Sequence, residues 1–348
     1  MIFLVVIVQK FRLQNYTYSS NLAKKWIILF CKFQKTLFLW THILNEMTTK
    51  GFFSDRSAIF RLLWLLLLML LGAVLATAIG ICYIFCTGAP QDVLTTNVSV
   101  LRIFQFISTL TTFLLPAVIA AWLFSRRPSE YLFIDKIPSG YAQMLTFLSI
   151  LLFVPFINLL GFFNEQMQLP EFLKPVEDWM RTSEDSAERV TELLLGNSSP
   201  LSVFLNLVVI ALAAAFSEEF LFRGALTRIF GQFFHNHHHI VVWSVAIIFS
   251  AIHMQFYGFV PRMLLGAYFG YLVYWGKNLW LPILAHFINN SIAVIGMSNA
   301  NWKDSSLISG EISSKDLPTF ALVSIICLIA FLFITKILKR QLQREKEK

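Results

Sequence analysis

The chain has 348 residues, 57% hydrophobic and 14% charged, with a formal net charge of +8. Soluble domains carry about 25% charged residues, so the composition excludes that class and points to a polytopic membrane protein. The basic excess reads as loops held against an anionic membrane surface, and no aromatic-interleaved basic groove supports nucleic acid as a partner.

Residues 1–46 hold Lys10, Arg12, Lys24, Lys25, Lys32 and Lys35 with no acid before Glu46. The apolar run from Ile2 to Val8 is too short to span a bilayer and precedes its basic residues, the reverse of a secretory signal. We therefore expect residues 1–46 to be an extension upstream of a true start at Met47. A hydrocarbon layer about 30 Å thick needs roughly 20 apolar residues. Eight candidate spans follow, at approximately 60–86, 101–125, 140–163, 201–222, 240–257, 261–276, 279–297 and 317–338. The sixth is short and begins at Pro261, while Pro116 and Pro155 sit inside apolar runs as kinks rather than ends. The expected fold is all-α, with about eight membrane helices enclosing an intramembrane active site. Residues 47–199 would hold three helices and an acidic connecting segment, 200–300 a catalytic core, and 301–348 a last helix and basic tail.

Lys and Arg collect before the first span, after the second and fourth, and at the chain end, which predicts cytoplasmic termini. In that scheme Arg223 and Arg228 are loop residues following span four. The segment 164–200 on the opposite side is acidic and reads as a solvated connecting helix, with Trp179 and Leu194 able to touch a membrane surface.

Three polar clusters interrupt the apolar spans: Glu218-Glu219 with Arg223, Phe249 with His253, and His286 with Asn290. Each ionisable group at mid-membrane costs on the order of 3 kcal/mol, so a functional reading is the default. At about 100° per residue, Glu219 and Arg223 lie about 40° apart and can pair, whereas Glu218 and Arg223 are about 140° apart. Glu218 is thereby left with a carboxylate able to act as a general base toward water. His286 and Asn290 share a face, and two donors there suit an oxyanion hole. Asn289 falls on a neighbouring stripe and reads as packing. Glu218, His253 and His286 also have the composition of a zinc site, so a divalent metal is a physical option, although two histidines four apart around a Glu are absent. His235, His237, His238 and His239 form a tract that reads as a solvated interfacial loop rather than a metal site.

The ordered set Glu218-Glu219-x-x-x-Arg223, Phe249-x-x-x-His253 and His286-x-x-x-Asn290 resembles the type II CAAX prenyl endopeptidases and their bacterial CPBP relatives, also described as the abortive-infection family. The resemblance covers roughly residues 200–297. It implies an endopeptidase of the bacterial inner membrane in which Glu218 and His253 activate water, His286 and Asn290 stabilise the oxyanion, and Glu219, Arg223 and Phe249 support them. Its substrate would be a membrane-associated protein or peptide. A non-catalytic immunity or scaffold protein of the same fold is the alternative, and an ion-coupled transporter is disfavoured because no paired repeat is evident. One conflict stands: with span four ending at 222, His253 falls about 20 Å from the membrane side on which Glu218 lies.

Overall fold

The computed structural model describes residues 50–235, 237–299 and 312–346. Those residues form helices and no strand. The expected extension 1–46 and start at Met47 lie outside them.

Helix α1, Ala58–Thr87, starts where the Ser57 side chain accepts the Phe60 N–H and ends at Gly88 in the left-handed region. A side-chain acceptor of this kind satisfies one of the N–H groups a helix start leaves open. Helix α2, Val98–Phe124, is capped by Asn97 and widens into a π turn at Leu110–Leu114. The turn sits just before Pro116, which has no N–H to donate, and the Leu115 N–H there reaches back to the Leu110 carbonyl. Gly72 of α1 meets this turn so closely that a Cβ would stand 1.9 Å from the Thr111 carbonyl oxygen. Helix α3, Gly140–Glu165, continues through Pro155, and helix α4, Lys174–Leu195, is the amphipathic connecting helix.

Helix α5, Pro200–Phe233, holds two π segments, Leu207–Ala213 and Phe220–Leu226. Helices α6, His238–Ile252, α7, Phe259–Gly276, α8, Trp280–Met297, and α9, Leu317–Lys346, are the remaining long helices among the described residues. Each expected span overlaps one helix, but not all of them qualify as membrane spans. Among the described residues, six of them (α1, α2, α3, α5, α8 and α9) are long and apolar enough to cross a membrane. α6 is apolar but has 15 residues, and α7 carries Arg262, Tyr268, Tyr271 and Tyr274 within 18.

The boundary of span four needs correction. α5 runs past residue 222 to Phe233, so Arg223 and Arg228 lie within the helix and not in a loop after it. The pairing of Arg223 with Glu219 across one helical turn is what keeps this cation inside the helix, its charge met within the bundle.

Two apolar cores hold the bundle together. One joins α1, α2, α5 and α8 around Phe216, Phe220, Leu221 and Trp280. The other joins α3, α7, α8 and α9 around Ile150, Phe269, Leu272 and Phe331, with the Phe153 and Phe331 rings stacked 4.2 Å apart. The apolar windows of α5 and α8 are 56% and 50% buried against 17% for α1 and α9, which places α5 and α8 at the centre. Leu63, Leu70 and Ile81 of α1 and Leu322 and Phe333 of α9 face outward, as a lipid-exposed surface requires.

Candidate active site

All three polar clusters converge between α5, α6, α7 and α8. The conflict over depth disappears because α5 is longer and α6 shorter than expected. Glu218 lies fifteen residues before Phe233, the end of α5, and His253 lies fifteen residues after His238, the start of α6. With a tight connection between the two helices, equal lengths of chain bring both residues to one level.

Glu219 and Arg223 are fully buried and paired, with Arg223 Nη1 donating to Glu219 Oε1 at 2.8 Å. Arg223 Nη2 donates to the Gly266 carbonyl of α7 at 3.0 Å, and its guanidinium lies over the Phe249 ring at 4.2 Å. Gly266 permits that approach: a Cβ there would stand 3.0 Å from Arg223 Nη2 and 3.1 Å from the Phe249 ring. The charge of Arg223 is therefore met by a carboxylate, a carbonyl and a ring face, the means by which a guanidinium is tolerated in a low-dielectric interior.

Glu219 Oε1 also holds His286, whose Nδ1 lies 2.8 Å away. A carboxylate can only accept, so Nδ1 carries the proton and Nε2 is turned toward Glu218. The Phe269 ring stacks on His286 at 5.3 Å and fixes its plane. His253 is held in the same manner: Nδ1 lies 2.7 Å from the Phe249 carbonyl, so it is the donor and Nε2 is the acceptor. The Nε2 atoms of His253 and His286 each stand 3.8 Å from Glu218 Oε2. That oxygen is buried and makes no hydrogen bond of its own. A separation of 3.8 Å lets one water touch both Glu218 and a histidine. The side chains of His253 and Glu218 are 27% and 14% exposed, whereas those of Glu219 and Arg223 are fully enclosed.

Asn290 lies farther along α8 and donates through Nδ2 to the Ile210 carbonyl of the first π segment of α5 at 3.1 Å, while its Oδ1 accepts from Asn289 at 3.3 Å. One amide N–H is thus spent on joining α8 to α5, which leaves the second for any other partner. Phe249 packs edge-on against Phe222, His253 and His286 and forms the wall between the clusters. The sequence reading did not single out Gly266, Phe269 or the Ile210 carbonyl. A glycine between apolar neighbours, a phenylalanine among thirty-five and a backbone oxygen carry no signature that local pattern could supply.

Among the described residues, no group of three or more His, Cys, Asp or Glu is disposed to hold a metal ion. In the histidine tract, the described His238 and His239 begin α6 and pack on α7, with His238 stacked on Tyr274 and His239 Nδ1 2.7 Å from the Tyr271 hydroxyl.

Fold and site together define an all-α polytopic membrane protein with a buried carboxylate flanked by two histidines. Residues 200–292 match the family model described as Rce1-like, type II CAAX prenyl endopeptidase. This segment spans α5 to α8 and contains all seven residues of the three motifs, and the resemblance they carried stands over that stretch. An uncharacterized protein of Bacillus subtilis (strain 168), YpbD, is 31% identical over 99 residues, which cover 27% of this chain and 44% of that protein. The match thus spans less than half the length of this curated relative. No solved structure matches the chain.

Proposed function

We propose that this chain is an intramembrane endopeptidase that hydrolyses peptide bonds of membrane-associated proteins or peptides with a water activated by Glu218. The observation that carries the reading is the position of Glu218 Oε2, 3.8 Å from an Nε2 of each of two histidines that come from different helices.

In this reading His253 Nε2 accepts one hydrogen of the water and orients it, while Glu218 takes the other as general base. The water oxygen bonds to the scissile carbonyl carbon. Nε2 of His286 donates to the developing oxyanion, joined by the second N–H of Asn290, a role that requires a proton on each ring nitrogen of His286. Two carboxylates then face one guanidinium and one imidazolium, and the buried charges balance. Collapse of the tetrahedral intermediate breaks the C–N bond, and Glu218 returns its proton to the leaving amine. Glu219 and Arg223 hold His286 in place and do not touch the substrate. The Rce1-like match over the same residues supports the assignment.

The test compares protein termini in membranes of a host lacking the gene and supplied with wild type or Glu218→Gln at equal expression. We expect termini that appear with wild type and are lost with Glu218→Gln, a loss on the scale of about 10²–10⁴ for a general base. Identical termini, with both versions restoring the host equally, would contradict the proposal and favour a non-catalytic membrane partner.

A further inference from the structure

At the end of the bundle where α1 begins and α2, α5 and α7 end, a cavity of about 510 Å³ opens between them. Arg61, Arg228 and Lys277 line it together with His238, and no Asp or Glu is among its lining residues. Arg228 stands ten residues beyond Glu218, about 15 Å along α5, so this is a place separate from the candidate active site. A larger neighbouring cavity of about 810 Å³ shares Arg228 and Lys277 but also brings in Glu130, Asp135 and Glu345. Its charges are mixed, which leaves the smaller cavity as the one of single sign.

Among the described residues, no carboxylate makes direct contact with any of the three cations, although Asp135 and Glu130 act on Arg228 from the neighbouring cavity. Arg61 donates through Nη2 to the Ser54 carbonyl, and Arg228 donates to the carbonyls of Tyr131 and Glu130 while lying 3.7 Å over the Phe133 ring. Lys277 stands between the rings of Phe133 and Tyr274. None of the three has an ion pair with a carboxylate among the described residues. Behind them in the same wall the buried Tyr131 hydroxyl lies against the Arg61 guanidinium. Lys277 caps the end of α7 in the left-handed region at φ 47°, with its N–H on the Val273 carbonyl, and so stands at the rim. Its ammonium is held below the ordinary lysine value, first by partial burial and then by the charges of Lys346 and Arg228. Like charges brought together on a concave surface that no carboxylate lines favour an anion that accepts from several directions.

We propose that this cavity binds a phosphate ester anion. The group accepts through several oxygens at once, which suits two guanidiniums, an ammonium and a phenol. Two sources share this chemistry, the headgroup of an anionic phospholipid and a soluble phosphate compound. The position of the cavity at the ends of membrane helices makes both accessible.

The experiment uses the full chain purified in a zwitterionic detergent and needs no proteolytic activity. Retained lipid is read by native mass spectrometry after exchange into mixed phosphatidylglycerol and phosphatidylcholine, and thermal stability is read separately with added inorganic phosphate. Two variants are compared with wild type: Lys277→Gln removes a rim cation, and Gln232→Glu places a carboxylate on an exposed lining residue. We expect preferential retention of phosphatidylglycerol by wild type and about tenfold weaker retention by either variant, the scale of one charge-assisted hydrogen bond. Stabilisation by inorganic phosphate that both variants abolish, with no lipid preference, would support the site and assign it to a soluble ligand. Phosphatidylglycerol retention unchanged in both variants, or no response to either probe, would overturn the proposal.

Discussion

Glu219 is the residue on which the candidate site turns, although it is not the one placed at the water. Its Oε1 receives both Arg223 Nη1 and His286 Nδ1 at 2.8 Å, so a single oxygen sets the direction of Glu218's neighbour. Removing Arg223 alone takes the guanidinium from a fully buried carboxylate and leaves it only His286. We expect Arg223→Met to lower stability by about 3–5 kcal/mol, the usual result of breaking a buried pair from one side. Glu219→Gln combined with Arg223→Met removes the stranded charge and should recover much of that loss, as read by thermal unfolding in detergent. Equal losses in the single and double variants would show that the pair is not the source of the cost. The pairing was legible because residues four apart share a helix face, and Glu218 was legible because an unpaired carboxylate in an apolar run has no structural excuse. The Gly266 carbonyl and the Phe269 ring were not, since backbone acceptors and ring stacking arise only when α7 is packed against α5 and α8.

Among the elements, the segment between α6 and α7 decides where His253 stands. Met254 is left-handed there, at φ 55°, and the chain turns sharply just after the histidine. Asn164, at the end of α3, brackets the turn by donating to the Phe256 carbonyl at 3.0 Å and accepting the Val260 N–H at 3.2 Å. From α4, Glu184 accepts the Tyr257 N–H at 3.3 Å, and Trp179 packs on Phe256. Burial raises the Glu184 carboxyl above its usual range, and the Tyr257 N–H and then Arg262 oppose the shift. The acidic segment expected as a solvated connector therefore has one face turned onto the turn that carries His253. Asn164→Leu deletes two hydrogen bonds, worth about 1–3 kcal/mol together. A misplacement of about 1 Å costs on the order of 100-fold in rate. On the reading of His253 as the residue that orients water, we expect kcat to fall roughly 10- to 100-fold with KM nearly unchanged, and Asn164→Asp, which keeps the acceptor, to fall between. A matched rise in KM without loss of kcat would assign Asn164 to substrate binding instead. The helix boundaries were the least legible feature at this scale. Arg223 and Arg228 looked like loop cations, and the two π segments of α5 leave no mark in a hydropathy pattern.

For the whole molecule, composition alone specified the class, because so little charge over so many apolar residues cannot coat a soluble surface. The order of the helices followed from apolar runs, whereas the central placement of α5 and α8 did not, since every span is apolar and lipid is as apolar as a protein core. What the assembled bundle adds is convergence. α5, α6 and α8 each carry one part of the candidate site, and none of them can perform the proposed chemistry alone. If Glu218 and His253 serve one water, they form a unit whose second loss adds little to the first. The most direct measurement is therefore a double-mutant cycle of Glu218→Gln and His253→Asn, reading kcat/KM on a cleaved substrate identified from the altered termini. The account predicts that the double variant retains activity within about threefold of Glu218→Gln alone, whereas independent roles would multiply the two losses, each about 10²-fold or more. Multiplying losses would show that the two residues do not share a water, and the proposed mechanism would fail.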